Sequence, residues 1–202
     1  KKTSVDVSIY DEFNKLIKFK KKILLKLKNS IKSNFKIIKT YIINEVVIKI
    51  HYQNEKFFKL INPKLNHLLT SKLLKSNNDI FISGQKNNIL LKVNEKEFRY
   101  NGNQHHVFLG KLSFEILNII YKKNEDDWIA TYHACAVAKN NNGLLIIGDS
   151  GFGKSTLTTL LMKEGFFFIA DDFVPQSKNL NLYVNPLGIS IKKGSKKLFN
   201  EY

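Results

Sequence analysis

A phosphate-binding loop is predicted by the residue types and spacing of one segment, Gly148-Asp149-Ser150-Gly151-Phe152-Gly153-Lys154-Ser155-Thr156. The segment matches the pattern G-x-x-x-x-G-K-[ST] at every defined position. Glycines let the backbone close around a polyphosphate, and successive amide groups at the start of a helix point at its oxygens. Lys154 can then contact the β- and γ-phosphates, and Ser155 can offer its hydroxyl to Mg²⁺. The segment therefore predicts a site for ATP with magnesium.

The sequence around this loop predicts the elements that such a loop needs. The apolar run 144–147 predicts a strand before it, and residues 156–164 predict a helix after it that ends at Gly165. This strand–loop–helix context favours a nucleotide site over a chance match to the pattern. We expect three apolar residues of the helix to lie in the core: Leu160, Leu161 and Met162.

Two aspartates follow the next predicted strand. Residues 166–170 are typical of a buried strand, and Asp171 and Asp172 come directly after it. The helical connection predicts that this strand runs parallel to the strand before the loop, so both carboxylates should lie at the edge that carries the loop. Because consecutive residues point to opposite faces, one carboxylate could hold the metal and the other could face an acceptor hydroxyl. The alternative for either residue is a role in a turn or a cap.

His133 is a third candidate, which precedes the loop in the sequence. Residues 128–138 predict a strand and residues 139–143 a turn, and this hairpin places His133 opposite Asp149 to within two residues. A histidine there could hold a carboxylate, contact a phosphate or move a proton, and a purely structural role is the alternative. We interpret Cys135 as a small buried residue rather than a nucleophile.

Taken together, these motifs resemble the catalytic domain of HPr kinase/phosphorylase and of the HPr-kinase-like serine kinases. The resemblance covers about residues 128–190 and rests on three segments in the same order: His133-Ala134-Cys135-Ala136-Val137, the loop with the strand before it, and Gly165 to Asp172. It implies that Asp171 is the general base for a serine hydroxyl and that His133 is its neighbour. It also implies that Asp172 and Ser155 hold magnesium, in a nucleotide-binding fold related to phosphoenolpyruvate carboxykinases.

The chain departs from the bifunctional members of this family downstream of the aspartates. Where they carry a signature of the type Glu-Ile-Arg-Gly, residues 185–190 read Asn-Pro-Leu-Gly-Ile-Ser, without an acid or an arginine. A third metal carboxylate is therefore not expected, and phosphorolysis stays open. The smaller HPr-kinase-like proteins, including tailoring kinases for ribosomally made peptides, resemble the chain more closely, because their Pro-containing strand is similar to residues 184–191.

The rest of the sequence predicts a β-rich N-terminal module, residues 1–127, before a P-loop kinase core at residues 128–202; the fold class is α/β. In the first module we expect strands at 36–52, 89–93 and 98–100, a turn at 101–102, a return strand at 107–109, a helix at 112–122 and a polar break at 124–127. His105 and His106 are expected in a loop. Since 30 residues follow Asp172, the core should be short of strands unless the chain continues or the first module supplies them.

Composition narrows the classes of function. The chain of 202 residues is 43% hydrophobic and 12% aromatic, which indicates a folded protein. Its net charge is +16, yet 32 of the 33 basic residues are Lys and Asn occurs 23 times, a bias typical of an AT-rich genome. This favours a solvated Lys-rich surface over nucleic-acid binding. A single cysteine, the absence of a secretory signal and the lack of an apolar run near the roughly 20 residues of a membrane span predict a cytoplasmic location.

From these observations we expect an ATP- and Mg²⁺-dependent kinase that phosphorylates a Ser or Thr hydroxyl of a protein or peptide. One alternative is a small-molecule hydroxyl kinase, which usually needs an arginine clamp, whereas Arg99 is the single arginine of the chain. A second is an ATP-binding interaction protein with weak or no hydrolysis. The formation of a homo-oligomer is left open by the sequence.

Overall fold

A computed structural model of the chain describes residues 15, 17–21, 34–85 and 88–189, and the chain is mixed α/β. Numbered in chain order, its elements from residue 37 onward are β1 (Ile37–Ile43), β2 (Val46–Tyr52), α1 (Glu55–Leu65), β3 (Leu69–Thr70), β4 (Asn78–Ser83), β5 (Asn88–Val93), β6 (Lys96–Asn101), α2 (His105–Tyr121), β7 (Trp128–Tyr132), β8 (Cys135–Lys139), β9 (Asn142–Ile146), α3 (Lys154–Lys163), β10 (Phe167–Ala170) and β11 (Val174–Ser177). No helix within these described ranges is long and apolar enough to cross a membrane.

The first part of the chain forms a six-stranded sheet in the order β3-β1-β2-β4-β5-β6. β2 and β4 pair in parallel, and the other neighbours are antiparallel. The strand content predicted for residues 36–52 is confirmed, but a tight turn divides it: Asn44 and Glu45 both adopt left-handed backbone, with φ of 47° and 66°. Asn tolerates this conformation better than most residues, which is why a continuous β-rich run can reverse there.

Helices α1 and α2 supply the core of this part. The Asn54 side chain caps α1 by accepting a hydrogen bond from the Phe57 amide (3.2 Å), and the apolar residues of α1 are buried at helical spacing. Together with the inward residues of the sheet, both helices form one hydrophobic cluster. Its fully buried members include Tyr41, Ile48, Ile50, Ile61, Leu65, Ile80, Leu91, Phe108, Ile116 and Leu117.

The strand predicted at residues 107–109 is wrong, because these residues belong to α2. Phe108 is fully buried one helical turn before Leu112, so the apolar stripe of the predicted helix extends back to it and outweighs the β propensity of Val107 and its neighbours. His105 and His106 therefore lie in the first turn of α2 and not in a loop. No cluster of metal-ligating side chains involves them among the described residues.

The second part is built on one long antiparallel pair of strands that is interrupted in the middle. β7 pairs with β11, and β8 pairs with β10. The two pairs that flank the interruption, Val174 with Tyr132 and Ala170 with Ala136, are in the same register, and each half has a register shift farther from it. The prediction of a single strand over residues 128–138 is thus wrong in one respect. The chain bends at His133 and Ala134, opposite the segment 171–173, and this bend separates β7 from β8. β8 also pairs with β9 through a two-residue turn at Asn140–Asn141, shorter than predicted.

The phosphate-loop helix α3 lies between β9 and β10 in sequence. Both strands are antiparallel to β8, so they run parallel to each other as predicted, although β8 separates them. Gly165, with φ of 79°, ends the helix. The prediction that Leu160 and Met162 are core residues is wrong, since they are 40% and 39% exposed. Thr158, on the side that packs on β8, is the fully buried residue instead.

After β11 the chain returns to the large sheet and joins the two parts. Residues 184–189 form an irregular segment rather than the expected strand, whose last two residues lie outside the described ranges. The Tyr121 hydroxyl donates to the Val184 carbonyl oxygen (2.7 Å), and Leu187 is buried in the core of the large sheet. Trp128, at the start of β7, belongs to the same core. Packing is therefore continuous across the boundary predicted near residue 127.

Asn185 provides a test of this junction. The backbone amide of Asn185 donates to the Ile169 carbonyl oxygen (2.8 Å), and its side-chain amide donates to the Phe173 carbonyl oxygen (3.0 Å). Because Asn185 is 1% exposed, Asn185→Ala leaves buried polar groups unpaired and should lower the free energy of unfolding by about 1–3 kcal/mol. Urea denaturation measures the loss. The matched control is Asn181→Ala at an exposed position, and an equal effect of the two substitutions would contradict the role given to Asn185.

Candidate active site

The candidate site lies at the interruption of the long strand pair. Extending the register across the gap places Cys135 opposite Asp171, and the Cys135 thiol donates a hydrogen bond to Asp171 Oδ1 (2.8 Å). His133 lies within this gap, and its Nδ1 donates a hydrogen bond to the Asp172 backbone oxygen (3.2 Å). Asp172 has a φ of 65°, a left-handed conformation that breaks the strand. Three of the predicted residues, His133, Asp171 and Asp172, are thus brought together.

The phosphate loop has the backbone that its glycines predict. Gly151 and Gly153 have φ of 97° and 82°, a region that residues with a side chain rarely adopt. Helix α3 begins at Lys154 directly after them, and its first hydrogen bond runs from the Leu157 amide to the Gly153 carbonyl (2.8 Å). The N-terminus of α3, the end of a helix at which anions bind, therefore lies directly at the loop.

Lys154 lies inside the loop. The residue is 8% exposed, and its ammonium donates to the backbone oxygens of Gly148 (2.7 Å) and Asp149 (3.2 Å). A buried charge is stable only when polar groups surround it, and carbonyl oxygens provide that here. A bound phosphate would offer oxygens with a full negative charge at the same place, so the position of Lys154 fits the predicted contact.

Asp171 connects the loop to the strand pair. Its Oδ1 accepts a hydrogen bond from the Ser155 hydroxyl (2.7 Å) as well as the one from the Cys135 thiol, and the residue is 6% exposed. Burial raises the pKa of the Cys135 thiol, and the neighbouring Asp171 carboxylate raises it further. Cys135 therefore stays protonated and acts as a donor. Its burial agrees with the interpretation from the sequence. Its contact with Asp171 was not predicted, because the sequence pairs residues 128–138 with the strand before the loop and not with the strand that precedes Asp171.

Asp172 faces a different neighbour. Its carboxylate is part-exposed, and Asp172 Oδ2 lies 3.9 Å from the Lys64 ammonium of α1. Lys64 belongs to no sequence motif that would mark it as a site residue. The predicted metal pair, Ser155 and Asp172, is not joined by any contact shown here: the Ser155 hydroxyl contacts Asp171, whereas the Asp172 carboxylate faces Lys64.

The side chains of this site fit a magnesium ion. Hydroxyl and carboxylate oxygens are the hard donors that Mg²⁺ takes, and its remaining positions usually go to phosphate oxygens and water. Ser155 can donate its proton to Asp171 and still present a lone pair to the metal. The described residues contain no cluster of three or more His, Cys, Asp or Glu that could hold a metal ion.

No protein-family model, no curated protein and no solved structure matches the chain.

Gly153 tests the geometry of the loop. A methyl group at Gly153 meets no atom within 4 Å, so Gly153→Ala probes the backbone conformation alone and should cost about 1–2 kcal/mol of stability through its positive φ. The control is Gly110→Ala in α2, which also meets no atom and should stabilise the protein by about 1 kcal/mol through helix propensity. Thermal or urea unfolding measures both. Stabilisation by Gly153→Ala would contradict the left-handed loop.

Proposed function

We propose that the protein is an ATP-dependent kinase that transfers the γ-phosphoryl group to a Ser or Thr hydroxyl of a protein or peptide. The observation that carries the proposal is the hydrogen bond of 2.7 Å between Ser155 of the phosphate loop and the buried Asp171 carboxylate. A nucleotide in the loop would have its terminal phosphate near this residue, because Ser155 belongs to the first turn of α3. A carboxylate at that position has the chemistry of a base for an acceptor hydroxyl.

Four residues divide the work of this reaction. The oxygen of the acceptor hydroxyl bonds to the γ-phosphorus, and Asp171 accepts the proton of that hydroxyl. The bond from the γ-phosphorus to the oxygen that bridges it to the β-phosphorus breaks, and ADP leaves with the electron pair of that bond. Lys154 neutralises charge on the β- and γ-phosphates. Ser155 and Asp172 would hold the magnesium ion, which supplies further charge neutralisation when bound. Positioning these groups accounts for most of the catalysis in phosphoryl transfer.

His133 serves as a positioning residue in this proposal. Its Nδ1 donates to the Asp172 backbone oxygen, which fixes the ring at the turn that carries both aspartates. The ring is exposed, as is Phe152 in the loop, so the outer side of the site is open. An open rim suits a hydroxyl presented on a peptide or a protein surface. Small-molecule kinases usually have an arginine clamp for their substrate. The single arginine of this chain, Arg99, is exposed on β6 and does not provide one at the site.

Lys154 tests nucleotide binding. Lys154→Ala removes the ammonium from the loop and should weaken MgATP binding by roughly tenfold or more, because hydrogen bonds to charged groups contribute about 1.5–3 kcal/mol. Isothermal titration calorimetry gives the affinity, and circular dichroism checks the fold. Lys163→Ala, at the other end of α3, is the control and should bind as the parent does. Unchanged affinity in a folded Lys154 variant would refute the assignment of the loop.

Asp171 tests catalysis separately from binding. Asp171→Asn keeps the shape and the hydrogen-bonding ability of the side chain but removes the proton acceptor, so MgATP should still bind while transfer falls by about 10²–10⁴-fold. Asp172→Asn should instead raise the magnesium concentration needed for half-maximal activity. The assay follows labelled γ-phosphate from ATP into Ser- and Thr-containing peptides.

Two outcomes of this assay would change the proposal. Transfer at the parent rate by Asp171→Asn would show that Asp171 is not the base. A parent protein that binds MgATP tightly but labels no acceptor would favour the nucleotide-binding interaction protein over the kinase.

A further inference from the structure

We infer that Lys64, in the last turn of helix α1, is a second phosphate-binding cation of this site. The inference rests on the proposed function and adds a residue to it from outside the loop and the strand pair. Three observations support it: where the backbone of Lys64 is attached, how that attachment leads to the aspartates, and where its ammonium lies.

The backbone of α1 is attached to the segment that follows β11. The Gly188 amide donates to the Lys64 carbonyl oxygen (3.0 Å), and His67 Nε2 donates to the Pro186 carbonyl oxygen (2.9 Å). These hydrogen bonds lie at the last turn of α1 and just beyond it, where helix carbonyls lack partners within the helix. The segment 186–188 thus fixes the end of α1 that carries Lys64.

The same segment is attached on its other side to the strands that carry the aspartates. Asn185 donates to the carbonyl oxygens of Ile169 (2.8 Å) and Phe173 (3.0 Å), which stand on either side of Asp171 and Asp172. Asn185 is 1% exposed, so these bonds are shielded from water. A continuous series of hydrogen bonds therefore runs from α1 to the turn at residues 171–173, which carries both aspartates. This series sets the distance between Lys64 and that turn.

The ammonium of Lys64 lies beside the carboxylate of Asp172. It is 3.9 Å from Asp172 Oδ2, and its side chain is 34% exposed. An ion pair of this length and exposure is weak, and the flexible stem of lysine lets the ammonium move. A polyphosphate carries more negative charge than one carboxylate and would attract the ammonium more strongly. Lys64 therefore rests on Asp172 in the absence of nucleotide and transfers to phosphate oxygens when MgATP binds.

The chemistry of phosphoryl transfer gives this cation a use. Charge in the transition state is spread over three equatorial oxygens, and many phosphotransferases add an arginine to the lysine of the loop to stabilise it. Arg99 cannot serve here, because it lies exposed on β6 and pairs with Glu97. Lys64 takes the place of such an arginine in this chain.

A matched pair of variants tests the inference. Lys64→Gln should weaken MgATP binding by about tenfold, as expected for the loss of one charged hydrogen bond, whereas Lys59→Gln, on an exposed position of the same helix, should bind like the parent. Lys64→Arg keeps the charge and should retain most of the affinity. Isothermal titration calorimetry at constant ionic strength gives the dissociation constant of MgATP for each variant. Thermal unfolding confirms that each variant is folded.

A second comparison separates contact with phosphate from the ion pair. In the Asp172→Asn background, Lys64→Gln should still weaken the binding of metal-free ATP, because the partner of the lysine is then the nucleotide. If the effect of Lys64→Gln disappears in that background, Lys64 acts only through Asp172 and the inference is overturned. Affinity equal to the parent for Lys64→Gln, with loss for Lys154→Ala, overturns the inference and leaves the proposed function in place. A parent that does not bind MgATP overturns both.

Discussion

The hydrogen bonds to the Asp171 carboxylate are the constraint on which the rest of the site depends. A carboxylate that is 6% exposed is costly to bury unless donors replace the water it has lost, and Ser155 and Cys135 are two of those donors. One lies in the first turn of α3 and the other in β8. Both hydrogen bonds are accepted by the same oxygen. Helix α3, strand β8 and the end of β10 can therefore be arranged relative to one another in very few ways. The geometry of the phosphate loop relative to the aspartates follows from this one group.

The large sheet takes part in the site through its core. Trp128 packs its ring edge-to-face against Tyr121 and Tyr183, with centroids 6.3 Å and 5.0 Å apart, and its indole donates to Asn118 (2.8 Å). These contacts join α2, the start of β7 and the segment after β11. Aromatic pairs of this kind contribute about 0.5–1.5 kcal/mol each beyond the area they bury. The first part of the chain therefore stabilises the position of the strands that hold the aspartates.

The local features of the site could be predicted from the sequence, and its long-range contacts could not. The local structure of four features depends on neighbours within a few residues: the loop, its helix, Gly165 and the two aspartates. The positions of the glycines and the spacing of the motif were therefore sufficient to predict them. The bend at His133 depends on the turn at 171–173 of the partner strand, and no residue between 128 and 138 signals it. The exposed Leu160 and Met162 show the same limit, because an apolar helix residue is buried only if another element covers it. Lys64 carries no local signal at all.

The contact between His67 and Pro186 joins residues 119 positions apart in the sequence, and it has a kinetic consequence. The hairpins β1–β2, β5–β6 and β8–β9 close over two-residue turns, so the entropy lost in forming them is small and they can form early. Attachment of the segment 184–188 to α1 requires most of the chain to be ordered first. The three hairpins can therefore form before the segment 184–188 is attached to α1, and this long-range attachment is a late event in folding.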